Sequence, residues 1–115
     1  MPHCKTLDYD ALLEKLGGDT EFVASLLQVA VRSSAALPAE LRQACAAADF
    51  AALAKIAHKI KGTAGDLVAE GLRDRAREAE LAARESKPES IGLNLKLADA
   101  LDEFLTEARS LVAAG

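Results

Sequence analysis

Apolar residues recur every three or four positions along most of the chain, and this spacing places them on one face of an α-helix. Four long stretches have this pattern. The two in the middle carry Leu53, Ile56, Ile60, Ala64 and Leu67, and then Leu72, Ala76, Ala79 and Ala83. The outer two carry Phe22, Leu26, Val29, Leu37, Leu41 and Ala44, and then Leu95, Ala98, Leu101, Leu105, Ala108 and Val112. The pattern therefore predicts amphipathic helices that bury their apolar faces against one another.

Polar and small residues mark where these helices begin and end. Asp8, Asp19 and Asp49 each precede a helical stretch. They are predicted N-caps, because an Asp side chain accepts a hydrogen bond from the first turn of a helix. Asp8 would open a short leading helix that runs to Leu16 and is closed by the pair Gly17–Gly18.

Two further signals divide the rest of the chain. Pro38 interrupts a helix that otherwise extends to about Ala48, and proline inside a helix removes a hydrogen bond, so we expect a kink or break at 35–37. The polar segment Ser86–Ser90 separates a helix over about 70–84 from a last helix over about 91–113. Short connections favour antiparallel neighbours. We expect an all-α fold, an antiparallel up-down four-helix bundle with a short additional N-terminal helix, in a single domain over residues 1–115.

Composition agrees with a helical domain and argues against several classes of function. Half of the 115 residues are apolar but only 3% are aromatic, so Leu, Ile, Val and Ala build the core. A net charge of −4 does not fit a nucleic-acid-binding protein, which needs a basic surface. No uninterrupted apolar stretch approaches the roughly 20 residues of a membrane span. No secretory signal follows Met1, and Cys4 and Cys45 have no paired spacing, so we expect free thiols in a cytoplasmic protein.

His58 lies on the face of its predicted helix that is opposite the apolar stripe. At about 100° per residue, the residues that share its face are Ala51, Ala54, Lys55, Lys61, Gly62 and Gly65. A helix buries its apolar stripe, so the imidazole is expected to face solvent and a core histidine is excluded. An inert surface histidine would leave the two glycines unexplained, because glycine inside a helix costs roughly 1 kcal/mol relative to alanine.

The surroundings of His58 suit a histidine that carries a phosphoryl group. Gly62 and Gly65 clear the surface one and two turns beyond the ring, so another protein can approach closely. Lys55, Lys59 and Lys61 can balance the negative charges of a phosphoryl group through charge-assisted hydrogen bonds. A metal site is not expected, because no second histidine, cysteine or carboxylate lies three or four positions away.

The segment His58-Lys59-Ile60-Lys61-Gly62, followed by Thr63-Ala64, resembles the phosphorylation motif of histidine-containing phosphotransfer (HPt) domains. These domains are the relay modules of multistep two-component signalling. Leu7–Asp10 and Leu16–Phe22 are similar to the family's entry helix and to the turn into its second helix, and Leu72 matches an apolar residue that opens a later helix. The resemblance covers almost the whole chain.

One position departs from the family pattern. The family commonly has a glycine ten residues after its histidine, and this chain has Val68 there. A glycine at a helix C-terminus usually takes the left-handed conformation that closes the helix. We therefore expect the histidine helix to run about one turn further, to near Gly71, or to join the next helix differently.

The resemblance implies a function, partners and roles for residues. It implies that His58 accepts a phosphoryl group from the aspartyl phosphate of a receiver domain and passes it to another receiver domain. Lys61, with Lys59 and Lys55, is implied to stabilise the phosphoryl group. The chain is implied to be a monomer without a cofactor of its own, because Mg²⁺ belongs to the receiver, and to work with receivers and a (hybrid) histidine kinase. The implied docking residues are Ala51, Ala54, Gly62 and Gly65.

Some alternatives stay open at the level of sequence. Glu80 either orients the histidine ring, as a polar residue of the following helix often does in the family, or faces solvent and pairs with Arg77 or Arg84. The whole domain is alternatively a helical adaptor that binds a receiver or kinase without being phosphorylated. A third alternative is that the chain is the phosphorylated domain of a chemotaxis-type kinase. It is less favoured, because residues 63–72 contain no aromatic residue.

Overall fold

The computed structural model describes residues 6–114, and within them the chain forms six helices and no strand. This confirms the all-α prediction. The predicted free thiol of Cys4 lies outside the described residues. The helices are α1 (Tyr9–Lys15), α2 (Thr20–Ser34), α3 (Leu37–Ala46), α4 (Phe50–Asp66), α5 (Glu70–Arg84) and α6 (Glu89–Ala114).

The three predicted aspartate caps are confirmed at the starts of α1, α2 and α4. In each case the carboxylate of the aspartate accepts a hydrogen bond from the backbone N–H three residues later, which satisfies a donor that the first helical turn leaves free. The pairs are Asp8 with Ala11 at 3.0 Å, Asp19 with Phe22 at 3.0 Å and Asp49 with Ala52 at 3.1 Å. The cap at Asp49 fixes where the histidine helix begins.

The predicted break at Pro38 is also confirmed. Helix α2 ends at Ser34 and α3 begins at Leu37, so the proline lies in the first turn of a new helix. The first turn is the one place where a helix needs no N–H from that residue. The segment predicted as one interrupted helix is thus two helices.

The expectation that the histidine helix runs one turn further, to near Gly71, is wrong. Helix α4 ends at Asp66, and Val68 itself takes the left-handed conformation with φ 57°. The Ala69 N–H donates to the carbonyl of Ala64 at 2.8 Å and the Val68 N–H donates to the carbonyl of Gly65 at 3.3 Å. These two bonds form the Schellman motif, a helix end in which the left-handed residue is usually glycine. A valine closes the helix without lengthening it, because the hydrogen bonds offset its backbone strain.

The core lies between α4, α5 and α6, with α2 and α3 against α6. The contact between α4 and α5 is the most extensive, and α3 also packs on α4. The predicted stripes of α4 and α5 are buried, except that Ile56 is half-buried. The molecule is elongated, with extents of 42 × 20 × 20 Å.

The predicted stripes of the outer helices need correction. In α2 the buried residues are Val23, Leu27, Ala30 and Ser34, one position further along than predicted, and Phe22 and Val29 are 51% and 60% exposed. In α6 only Leu95 of the predicted stripe is exposed, and the apolar residues Leu97, Phe104 and Leu111 that widen the stripe are buried as well. Helix α2 has two adjacent apolar stripes, and packing against a neighbour decides which of the two is buried.

One helical stretch is long and apolar enough, by length and composition alone, to cross a membrane. It covers Thr20–Ala46, and 33% of its most apolar window is buried in the fold. Core helices of globular proteins pass the same test. The prediction of no membrane insertion therefore stays a prediction.

Candidate functional site

His58 lies near the middle of α4 on the side that is turned away from the core. Leu53, Ala57, Ile60 and Ala64 anchor the opposite side and are all at most 1% exposed. The side chain of His58 is 63% exposed. The helix therefore presents the imidazole to solvent on a rigid, fully packed support.

Glu80 of α5 is the residue that contacts the ring. Its Oε2 lies 3.1 Å from His58 Nδ1, within hydrogen-bonding distance. Only 3% of Glu80 is exposed, so the carboxylate is buried between α4 and α5 while the ring above it is open. The carboxylate faces the histidine from the neighbouring helix and does not point to solvent.

Two cations share this buried carboxylate with the histidine. Lys61 Nζ lies 2.8 Å from Glu80 Oε1. Arg84 donates to Glu80 Oε2 twice, from Nε at 2.8 Å and from Nη2 at 2.6 Å. Arg84 is one helical turn beyond Glu80 on α5, so the pair also has the (i, i+4) spacing that suits oppositely charged residues on a helix.

The charge state of Glu80 follows from these contacts. Burial alone raises the pKa of the carboxyl group, but the hydrogen bonds and charges of Lys61 and Arg84 outweigh burial and lower the pKa to about 2. Glu80 is therefore ionised near neutral pH. An ionised carboxylate can only accept hydrogen bonds, so the ring hydrogen belongs on His58 Nδ1. The neutral ring then has its free lone pair on Nε2, at the edge remote from Glu80.

The three lysines predicted to stabilise a phosphoryl group lie in different settings. Lys61 is 33% exposed and is tied to Glu80. Lys55 is exposed and lines a groove beside the ring. Lys59 is exposed on the neighbouring face of α4. The structure thus brings Lys61 into the histidine cluster and leaves the other two on its periphery.

The groove runs along α4 and α5 on one side of His58 and has a volume of about 510 Å³. Of the predicted docking residues, Ala51 and Ala54 line it, and Ala83 of α5 adds a third small side chain. Gly62 and Gly65 lie one and two turns beyond the ring and do not line this groove. Its lining residues are Phe50, Ala51, Ala54, Lys55, His58, Ala83, Arg84 and Ser86.

The two glycines differ in the space around them. A Cβ atom at Gly62 would meet nothing within 4 Å, so the surface there is open. A Cβ atom at Gly65 would lie 3.5 Å from Arg73 Cδ, which is ordinary contact. Gly62 therefore leaves clear space beside the histidine, whereas Gly65 is half-buried next to Arg73.

Arg84 is the member of the cluster that was not predicted to be functional. From sequence, Arg84 is only an alternative surface partner of Glu80. The signal that could have found it is the spacing, because a residue four positions from a ring-orienting glutamate lies on the same face of α5. The guanidinium is 56% exposed and lines the groove beside His58.

The described part of the chain contains no group of three or more histidine, cysteine, aspartate or glutamate side chains arranged to hold a metal ion. Cys45 is a free thiol, buried between α3 and α6, where it donates to the carbonyl of Ile91 at 3.5 Å. Burial raises the pKa of the Cys45 thiol, which makes it a poor nucleophile.

Comparison with known proteins identifies the family. The family model of the Hpt domain matches residues 25–111, which includes the histidine helix, Glu80 and Arg84. No curated protein and no solved structure matches the chain. The family model covers well over half of the sequence. The chain belongs to the Hpt domain family, the histidine-containing phosphotransfer domains of two-component signalling.

Proposed function

We propose that this protein is a phosphorelay intermediate in which His58 accepts a phosphoryl group from a receiver domain and passes it to another. Hpt domains work with receiver domains and kinases in phosphorelays. The observation that carries the proposal is the contact of 3.1 Å between His58 Nδ1 and the ionised, buried Glu80. This contact directs the nucleophilic lone pair of Nε2 outward, where a partner can reach it.

The proposed reaction begins with attack of Nε2 on the phosphorus of an aspartyl phosphate. The Nε2–P bond forms, the P–O bond to the aspartate breaks, and its electron pair returns to that carboxylate. The ring retains its hydrogen on Nδ1 and becomes positively charged. Glu80 stabilises this charge, in the way that a buried aspartate stabilises the imidazolium of a serine protease. Transfer to the second receiver is the reverse reaction.

Positioning and charge balance supply most of the catalysis in phosphoryl transfer. We place Mg²⁺ and its acidic pocket on the receiver domain, because this chain offers a cationic cluster at the histidine. Lys61, Lys59 and Lys55 are the proposed cations for the phosphoryl group. Ala51, Ala54 and Gly62 are small residues beside the ring, and we propose that they let the receiver approach to bonding distance.

We also propose an antiparallel up-down arrangement for the long helices. The connections before and after α4 contain only three residues each and the one before α6 contains four, which favours antiparallel neighbours. Contacts between α3 and α6 support it, since Cys45 contacts Ile91 while Arg42 contacts Asp99 and Asp102. We propose a cytoplasmic protein that carries the site on a single domain.

Transfer from a phosphorylated receiver domain tests the proposal. Receivers charged with acetyl phosphate are mixed with the protein, and acid-labile phosphate is followed by mass. Wild type should gain one phosphoryl group, and His58→Gln should gain none. If wild type gains no phosphate from any receiver that it binds, the non-phosphorylated adaptor is the better description.

The same assay tests the role of Gly62. Gly62→Gln should slow transfer by about tenfold, since a small misplacement of the reacting groups is costly. The fold should be unchanged, because the space around Gly62 is open. Gly92→Gln is the matched control, because Gly92 is an exposed glycine of α6 with equally open space. Equal rates for Gly62→Gln and Gly92→Gln would refute the role of the small residue.

A further inference from the structure

Arg84 lies in the histidine cluster although it is not part of the segment His58–Ala64 that carries the motif. Its guanidinium makes two hydrogen bonds to Glu80 Oε2, the same oxygen that faces His58 Nδ1. It also lines the groove beside the ring. Arg84 is therefore fixed at the site by a buried partner and is still open to a group that enters the groove.

The charges of the cluster are unbalanced while His58 is neutral. Glu80 contributes one negative charge, and Lys61 and Arg84 contribute one positive charge each. The cluster therefore has a surplus of one positive charge. A buried carboxylate needs only one cation to balance it, so the second cation requires another explanation.

Phosphorylation removes this surplus. A phosphoryl group brings about two negative charges, and the ring gains one positive charge when Nε2 forms the bond and Nδ1 keeps its hydrogen. The phosphorylated ring with Glu80, Lys61 and Arg84 is then neutral. Without Arg84 the same cluster would be neutral before phosphorylation and negative afterwards.

We propose that Arg84 is a further cation for the phosphoryl group on His58, beside the three lysines, and so shifts the transfer equilibrium toward the phosphorylated protein. This inference rests on the proposed function of His58. Arg84 is more exposed than Lys61, at 56% against 33%, and it lines the groove beside His58. A guanidinium that is held in place before the phosphoryl group arrives needs little reorganisation.

An equilibrium competition tests the proposal without reference to rates. Wild type and Arg84→Gln are mixed in equal amounts with a trace of a receiver that exchanges phosphoryl groups with both, and the final partition is read from intact masses. Because the receiver only shuttles the group, the partition reports the relative stability of the two phosphohistidines. We expect about tenfold preference for wild type, the size of effect that one nearby charge has at a partly exposed site.

Two further variants identify the cause. Arg84→Lys retains the charge and should share the phosphoryl group with wild type to within about twofold. Arg77→Gln is the matched control, an exposed arginine of the same helix, and should give an even partition. The preference for wild type over Arg84→Gln should decrease in high salt, since salt screens exposed charges.

The outcomes separate the two proposals. An even partition between wild type and Arg84→Gln would overturn the role of Arg84 while leaving the function of His58 intact. A loss as large for Arg84→Lys as for Arg84→Gln would overturn charge balance as the mechanism. Failure of wild type to accept a phosphoryl group from any receiver would refute the proposed function itself. Circular dichroism of each variant checks that the helices are retained.

Discussion

At the scale of the residue, the contacts of Glu80 are the part of the site that the sequence left undetermined. The segment Arg73–Arg84 has the alternating charges of a solvated helix face, and charge alone does not distinguish its members. Glu80 lies four residues after Ala76 and three before Ala83, so helical spacing places it on the buried face of α5, but no pattern within α5 identifies its partners on α4. The family resemblance suggested Glu80 through its distance from His58 along the chain. Arg84 was one of two possible partners of Glu80 in the sequence, and Lys61 became evident as a partner only in three dimensions.

Glu80 should make the stability of the protein depend on acidic pH. A glutamate in an unfolded chain has a pKa of about 4.3, whereas Lys61 and Arg84 hold the pKa of buried Glu80 at about 2. The ionised form is thus favoured by folding. Its contribution is fully present above about pH 5 and is lost as pH falls toward 2. It amounts to at most about 3 kcal/mol.

Urea unfolding at a series of pH values measures this contribution. The difference in unfolding free energy between wild type and Glu80→Gln should shrink as pH falls from 5 to 2. Glu78→Gln is the control, an exposed glutamate of the same helix, and its difference from wild type should stay constant. A gap between wild type and Glu80→Gln that does not change with pH would contradict the assigned ionisation of Glu80.

At the scale of the element, local side-chain chemistry predicted where helices begin more reliably than where they end. The aspartate caps act within three residues of the chain, so Asp8, Asp19 and Asp49 could be identified from sequence. The ends of α3, α4 and α5 instead use left-handed residues that are not glycine. These residues are Ala48, Val68 and Ser86. Sequence patterns favour glycine there, so the end of α4 was misplaced.

Ala48→Gly should stabilise the protein. Ala48 closes α3 with φ 49°, and the Asp49 N–H donates to the Ala44 carbonyl at 2.9 Å across this turn. The left-handed conformation costs a non-glycine residue about 1–2 kcal/mol, and glycine removes this strain. Part of the stability gained is lost again, because glycine makes the unfolded chain more flexible. Ala48 is exposed, so no packing is lost. We expect about 0.5–1 kcal/mol of added stability.

The neighbouring alanine provides the control. Ala47 is equally exposed but has φ −88°, so Ala47→Gly relieves no strain and should reduce stability. Thermal unfolding of both variants measures the contrast. If Ala48→Gly melts no higher than Ala47→Gly, the left-handed turn does not store the strain assigned to it.

At the scale of the whole molecule, the all-helical fold was predictable because it depends on periodicity that persists over many residues. Which of the two adjacent apolar stripes of α2 is buried could not be predicted in this way. Phe22 and Val23 differ by one position, and the contact of α2 with α6 determines that Val23 is buried. The contact of Thr6 and Leu7 with Glu107 could not be predicted from local sequence patterns either, because these residues lie about a hundred positions apart in the chain.

Glu107 of α6 holds the segment that leads into α1. Its Oε1 accepts hydrogen bonds from the Thr6 N–H at 3.0 Å, the Thr6 hydroxyl at 2.9 Å and the Leu7 N–H at 3.2 Å. Leu7 is only 3% exposed, so these bonds set the entry of an apolar side chain into the core. Glu107→Ala should lower stability by about 1–3 kcal/mol, the usual effect of leaving buried donors without a charged acceptor.

Hydrogen exchange locates the effect within the molecule. In Glu107→Ala the amides of Thr6 and Leu7 should exchange much faster, while those of α4 change only as far as global stability falls. Arg109→Ala is the comparison, because Arg109 is an exposed residue of the same helix two positions after Glu107. The contacts of the histidine cluster are made by residues of α4 and α5, so Glu107→Ala should still accept a phosphoryl group on His58. Loss of transfer in a folded Glu107→Ala protein would mean that the N-terminal segment helps to position the histidine cluster.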